Sequence, residues 1–151
     1  MSRRGKLTAI LAAIVLALLS GCASRVAPRD EALADGLAGL QSSTGRFFDQ
    51  LQLVIGTPDA DWVSHAAWYE ETRTEIAALR VRASASGVTN DATLDALALL
   101  DQSVAELETA HAEGLSAAEV PVLRTLFDSQ LRMLVQLEAA KSRTPVAEVL
   151  P

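Results

Sequence analysis

The stretch from residue 30 to residue 55 reads DEALADGLAGLQSSTGRFFDQLQLVI and carries its apolar residues on one helical face. The spacing along this stripe alternates between 4 and 3, through Leu33, Leu37, Leu40, Thr44, Phe47, Leu51 and Val54. Such a repeat predicts a helix with one buried face. Gly36, Gly39 and the run 42–45 weaken this helix, so the sequence leaves open whether residues 30–55 form one helix or two.

Three further segments of similar length follow, over about residues 58–86, 91–113 and 116–143. Gly56, Gly87 and Gly114 fall between segments and favour chain reversals, and the last segment opens with SAAE at 116–119, the pattern of a capping box. Because the connections are short, neighbouring segments are expected to be antiparallel. The sequence predicts an all-α fold, an antiparallel four-helix bundle over residues 30–143 on a short lipid-anchored tether. A three-helix bundle with the first segment loosely attached is the alternative.

The first 22 residues have the organisation of an export signal. Three basic residues within positions 1–6 precede an almost wholly apolar run over 7–19, and small residues then lead to Cys22, the only cysteine. The sequence LSGC at 19–22 resembles the lipobox of bacterial lipoproteins. The resemblance implies a signal peptide over residues 1–21, cleavage before Cys22, a diacylglycerol thioether on its sulfur, and usually an acylated new amino terminus. Two or more acyl chains hold a protein stably on a membrane, whereas one does so only marginally.

The segments on either side of the bundle are short. Residues 22–29 are interpreted as the lipidated cysteine and a polar tether, and residues 144–151 as a flexible tail. Ala23 and Ser24 follow the cysteine, without the aspartate that tends to retain lipoproteins at the inner membrane of enteric bacteria. The resemblance therefore favours the outer membrane, facing the periplasm, over the inner membrane.

Composition and charge exclude several classes of protein. Half of the 151 residues are hydrophobic, which is too many for a disordered chain. The formal charge is −6, and removal of the three basic residues of the signal leaves 10 basic against 19 acidic residues, or about −9. A chain this acidic, without a basic cluster, is a poor binder of nucleic acids.

Two histidines form the one candidate site for chemistry. The second and third segments form a hairpin centred near Val88, and His65 and His111 each lie 23 residues from that centre, so they are expected at the same level. Asp61 and Glu108 lie one helical turn before them. Imidazole with carboxylate suits zinc, nickel or copper, which makes a small metal- or ligand-binding lipoprotein the alternative function. The competing interpretation is two half-buried core histidines that bond to a neighbouring carboxylate or carbonyl.

The fourth segment carries more apolar surface than one inward stripe requires. Leu126, Leu131, Met133 and Val135 are therefore candidates for docking an envelope protein or a second copy of the chain, unless the first segment covers them. No nucleophile elbow, phosphate loop or paired acid and base stands out. The sequence predicts a non-catalytic, lipid-anchored envelope protein that acts as a structural or protein-interaction module, with no cofactor beyond the lipid on Cys22.

Overall fold

Four long helices make up most of the chain in a computed structural model, which describes residues 27–85 and 90–142. They are α1 (Glu31–Val54), α2 (Trp62–Ser84), α3 (Asp91–Glu113) and α4 (Glu119–Lys141), with a 3-10 turn at Pro58–Ala60. These two ranges contain no β-strand. The predicted all-α fold is therefore confirmed. The predicted signal peptide, the lipidated Cys22, the start of the tether and the tail lie outside the described residues.

The four helices form a closed ring. Helix α1 packs against α2 and α4, and α3 packs against the same two helices. Because short connections join successive helices, neighbours in sequence are antiparallel. The contact between α1 and α4 is the most extensive of the four. The first segment is therefore an integral part of the bundle, and the alternative of a loosely attached first segment is wrong.

Helix α1 is continuous from end to end, which settles whether residues 30–55 form one helix or two. The carboxylate of Asp30 caps it by accepting the Leu33 N–H at 3.1 Å. Gly36 lies where α1 approaches α2 closely, since a Cβ at this position would lie 2.5 Å from Cδ2 of Leu79. A Cβ at Gly45 would meet no heavy atom within 4 Å. The first glycine serves packing, whereas the second weakens the helix with no compensating contact.

The predicted stripes of all four helices meet in one core. Phe48 of α1 and Phe127 of α4 are buried, and their ring centroids are 5.5 Å apart. The other large side chains with less than 2% exposure come from every helix of the ring: Tyr69, Leu33, Leu37, Leu40, Leu51, Ile76, Leu97, Leu100, Leu107 and Leu131. Burial of this apolar surface provides the main stabilisation of the bundle.

Two helices begin later than the sequence suggests. The 3-10 turn occupies the predicted start of the second segment, and α2 begins at Trp62 with Asp61 as its cap. The capping-box pair at 116–119 does form, because Oε2 of Glu119 accepts hydrogen bonds from both the N–H and the hydroxyl of Ser116. The helix itself begins at Glu119, so Pro121 falls in its first turn, where a missing N–H breaks no helical hydrogen bond.

One end of the bundle holds a buried polar network, and we call it the network end. Glu138 is fully buried and Lys141 is 8% exposed. Nζ of Lys141 donates to Oε2 of Glu138 at 2.5 Å and to Oδ1 of Asn90 at 2.7 Å. Nδ2 of Asn90 donates to the carbonyl of Ala83, and Oε1 of Glu138 accepts the backbone N–H of Asp30 at 2.7 Å. The network therefore joins the ends of all four helices.

The network continues to the surface through Arg82. Its Nε donates to both carboxylate oxygens of Asp30, at 2.9 and 2.8 Å. Partial burial raises the pKa of Asp30, but the hydrogen bonds from Arg82 and from the Leu33 N–H outweigh this effect and hold the pKa below its usual value. Asp30 is thus fixed through its backbone by α4 and through its side chain by α2.

Substitution of Gly45 by alanine is expected to raise the free energy of unfolding by about 0.5–1 kcal/mol, because alanine loses less backbone freedom on folding. Gly36→Ala is the matched control, since its methyl group must displace Leu79. It is expected to gain less or to lose stability. Urea unfolding followed by circular dichroism compares the two variants, and equal gains would contradict the close approach of α1 and α2.

Substitution of Lys141 by leucine is expected to lower the free energy of unfolding by about 3–5 kcal/mol at neutral pH, because it leaves Glu138 buried and unpaired. The double variant Glu138→Leu/Lys141→Leu continues the apolar stripe of α4 and is expected to recover most of that loss. The same urea experiment measures both. A double variant as unstable as the single one would show that the two side chains do not act as a pair.

Candidate functional site

The other end of the bundle, which we call the histidine end, holds both histidines among aromatic rings. His65 of α2 and His111 of α3 have ring centroids 5.4 Å apart, so the hairpin does bring them to one level. Phe47 of α1 stacks on Trp68 with centroids 3.7 Å apart and an angle of 9° between the planes. Tyr69 meets Phe47 edge-on at 5.7 Å. Three helices therefore contribute rings to this cluster.

His111 is 3% exposed and both of its ring nitrogens have partners. Nε2 lies 2.7 Å from the carbonyl oxygen of Ala60, which can only accept, so Nε2 carries the proton. Nδ1 lies 2.8 Å from the hydroxyl of Tyr69 and accepts the tyrosine proton. The two bonds hold a neutral imidazole in one tautomer and in one orientation.

Burial sets the protonation of this pair. Burial lowers the pKa of His111, and nearby His65 lowers it further. The hydrogen bond to the Ala60 carbonyl and the charge of Asp61 both act to raise the pKa, but they do not cancel the decrease. Burial also raises the pKa of Tyr69 far above its ordinary value, and the charge of Glu108 adds to that shift. Both rings are therefore uncharged at neutral pH, which is the state that their hydrogen bond requires.

The other residues of the predicted metal site have separate partners. Nε2 of His65 donates to the carbonyl of Asp59 at 3.1 Å, and a carboxylate oxygen of Asp61 accepts a backbone N–H as the cap of α2. Glu108 forms an ion pair with Arg73 of α2. Over residues 27–85 and 90–142, no group of three or more His, Cys, Asp or Glu side chains is arranged to hold a metal. The geometry instead lets the two imidazoles fix the 3-10 turn through two consecutive carbonyl groups.

The two tryptophans contribute packing rather than hydrogen bonds. The indole nitrogens of Trp62 and Trp68 are buried and have no acceptor in the described part of the chain. Trp62 lines an open depression of about 470 Å³ between α2 and α3, together with Arg73 and Glu108. Arg73 and Glu108 already pair with each other, and Thr109 and Glu113 of α3 also line the depression.

The residues predicted for docking divide into two groups. Leu126 is 47% and Met133 41% exposed, and they lie on one side of α4 with Val122, which is 69% exposed. Leu131 is wrong as a docking residue, because it has no exposed surface and lies in the core stripe of α4. Val135 is half-buried and packs against the core. The sequence indicated an exposed apolar surface on α4 but did not separate its members from the core.

Helix α3 extends this surface with Leu99, which is 47% exposed. Nε2 of Gln130 donates to the hydroxyl of Ser103, which fixes the register of α3 against α4. Leu99 lies four residues before Ser103 and Met133 three residues after Gln130, so antiparallel helices place the two apolar side chains at one level. We call this outer surface the α3–α4 face, and it consists of Leu99, Val122, Leu126 and Met133.

Sequence reasoning missed the network end altogether. The signal was present, because the spacing of Phe127, Leu131 and Leu134 continues by 4 and 3 to Glu138 and Lys141. Two oppositely charged residues at consecutive core positions of one helix indicate a buried ion pair, provided that the apolar residues around them set the register first.

Comparisons with known proteins give no indication of the function. No protein-family model matches the chain, and neither curated proteins nor solved structures show a significant match. Among the residues that the structure describes, no helix has both the length and the apolar character needed to cross a membrane.

The bundle is expected to lose stability as the pH falls below about 6.5, the ordinary pKa of histidine. The unfolded chain gains a proton at His111 in that range, whereas the folded protein keeps the ring neutral until the pH reaches its lowered pKa. His111→Gln is the control, because its amide can bond to Ala60 and Tyr69 but does not titrate. Thermal unfolding between pH 7.5 and 5 should show a smaller decrease for this variant, and equal decreases would contradict the assignment.

Proposed function

We propose that this protein is a lipid-anchored, non-catalytic interaction module of the bacterial cell envelope, and that its α3–α4 face docks a helix of another envelope protein. The resemblance of residues 19–22 to a lipobox supports the anchor and favours the outer membrane, facing the periplasm. The observation that carries the docking proposal is the exposed apolar surface of α4, continued by Leu99 of α3.

The hydrogen bonds at the histidine end support a structural role for the two histidines, which are the side chains best suited to catalysis or metal binding. Both nitrogens of His111 and one nitrogen of His65 are engaged, and two of these three bonds go to backbone carbonyls. A general acid or base must exchange protons with a substrate, and a metal ligand must offer a free nitrogen lone pair. His111 could do either only by giving up the bonds that hold the 3-10 turn or Tyr69.

The apolar surface has the spacing that a helical partner needs. Val122, Leu126 and Met133 are separated by 4 and 7 residues, so they form a line along the outer side of α4. An amphipathic helix that lies along such a line covers it with its own residues at spacings of 3 and 4. Leu99 widens the line into a surface between two helices, which is the shape that accepts a third.

The negative charge of α3 favours a partner helix that carries basic residues. Helix α3 contains six acidic residues and neither lysine nor arginine. Asp101 and Glu108 pair with arginines of α2, whereas no ion pair among the described residues engages the other four: Asp91, Asp95, Glu106 and Glu113. A second copy of the chain on this face would place like charges opposite each other, which disfavours self-association. A helix with an apolar stripe flanked by lysine or arginine complements the face, and its attraction to α3 would weaken with salt.

Photo-crosslinking in cells tests the proposal with the full lipoprotein. A photoreactive residue at position 126 is expected to capture a distinct envelope protein that contains a basic amphipathic helix, and one at Val81, an apolar residue of α2 with 70% exposure, is not. With purified partner, Leu126→Glu/Met133→Glu should weaken binding at least roughly tenfold, because charges replace a desolvated apolar contact. Val81→Glu is the matched control variant, and Cys22→Ser removes the anchor.

Three results would contradict the proposal. Capture from position 126 of only the protein itself would indicate a homodimer. Equal capture from positions 126 and 81 would show that the α3–α4 face is not selective. Binding that persists in Leu126→Glu/Met133→Glu would place the contact elsewhere on the bundle.

A further inference from the structure

The tether is docked onto the network end before α1 begins. Ala27 is 2% exposed, although it lies four residues ahead of the first helix. Three residues later, the backbone N–H of Asp30 donates to the buried carboxylate of Glu138, and its side chain bonds to Arg82. The chain is therefore held in place from Ala27 onward, and only residues 23–26 separate this point from Cys22.

This arrangement leaves a very short linker, from Cys22 to Ala27, between the lipid and the bundle. Cys22 and Ala27 are five Cα steps apart, and at about 3.5 Å per step the extended chain spans at most about 17 Å. Helices of 23 residues are about 35 Å long. The extended linker is thus about half as long as the bundle.

We infer that the docked tether presents the network end to the lipid surface and points the histidine end away from it. The inference rests on the lipid anchor of the proposed function. The segment between Cys22 and Ala27 confines the network end to within about 17 Å of the lipid attachment point. The histidine end can then reach roughly 50 Å from the membrane. A partner of the α3–α4 face must therefore lie within that layer.

The charges of α2 and α3 oppose the alternative in which the bundle lies flat on the membrane along either of these two helices. The three arginines of α2 each pair with an acidic residue of a neighbouring segment: Arg73 with Glu108, Arg80 with Asp101, and Arg82 with Asp30. Helix α3 presents only acidic charges. The sides formed by α2 and α3 therefore lack the unpaired basic cluster that binds anionic headgroups.

Energy transfer to the membrane tests the orientation. The full chain is produced in a lipidating bacterial host and reconstituted into phosphatidylethanolamine/phosphatidylglycerol vesicles that carry an acceptor dye on their headgroups. Ala85→Cys at the network end or Ala117→Cys at the histidine end supplies the donor site, because the lipid occupies the sulfur of Cys22. The donor–acceptor pair is chosen so that its transfer distance matches the length of the bundle. We expect strong transfer from position 85 and several-fold weaker transfer from position 117.

A variant with a longer linker is the matched control. Insertion of twelve Gly/Ser residues between Ser24 and Arg25 leaves the bundle and its network unchanged but lets the bundle tumble, so transfer from the two positions should converge. Vesicles that float with the protein but give equal transfer from both positions without the insertion would overturn the inference and leave the anchor intact. Protein that neither floats with vesicles nor carries the lipid mass would overturn both the anchor and the inference.

Limited proteolysis tests the docking of the tether separately. Glu138→Leu/Lys141→Leu retains an apolar core stripe but removes the acceptor of the Asp30 N–H. Trypsin is expected to cut after Arg29 several-fold faster in this variant than in the parent protein, although urea unfolding should give the two proteins similar global stabilities. Equal cutting rates would show that the contact with Glu138 does not hold the tether.

Discussion

The buried carboxylate of Glu138 is the interaction on which the arrangement of the bundle depends. One of its oxygens holds the ammonium group of Lys141, and the other holds the backbone of Asp30. A buried charge needs both partners, because an uncompensated carboxylate in an apolar core is strongly destabilising. The network also ties Glu138 and Lys141 of α4 to Asp30, which precedes α1, and to Asn90, which precedes α3. It therefore connects the helix ends at this end of the bundle, and the loss of either charged partner leaves the other buried and uncompensated.

The two ends of the bundle fix the chain by different chemistry. The network end uses an ion pair and two side-chain bonds to backbone groups, from Glu138 and Asn90. The histidine end uses neutral imidazoles that bond to the carbonyls of the 3-10 turn. At both ends, side chains satisfy backbone groups at helix ends or in the 3-10 turn: the Asp30 N–H before α1, the Ala83 carbonyl in the last turn of α2, and the carbonyls of Asp59 and Ala60.

Much of the fold could be predicted from the sequence, because heptad stripes and short connections depend only on local spacing. The level of His65 and His111 followed from counting along the hairpin. The predictions stopped where partners come from distant segments. Leu131 and Leu126 are both leucines on α4, and only the packing of α1 and α3 decides which of them is buried. Asp61 and Glu108 lie at ligand spacing, but a helix cap and Arg73 engage them.

The contact between α1 and α4 also constrains how the chain reaches its folded state. Asp30 and Glu138 are 108 residues apart, so the first helix finds its main partner only after the last helix has been synthesised. The α2–α3 hairpin can form from local contacts, but closure of the ring joins the two ends of the sequence, and such long-range closure slows folding. Until then the apolar stripe of α1 lacks the cover that α4 provides. The last helix to form thus determines how long the apolar stripe of the first helix stays exposed to solvent.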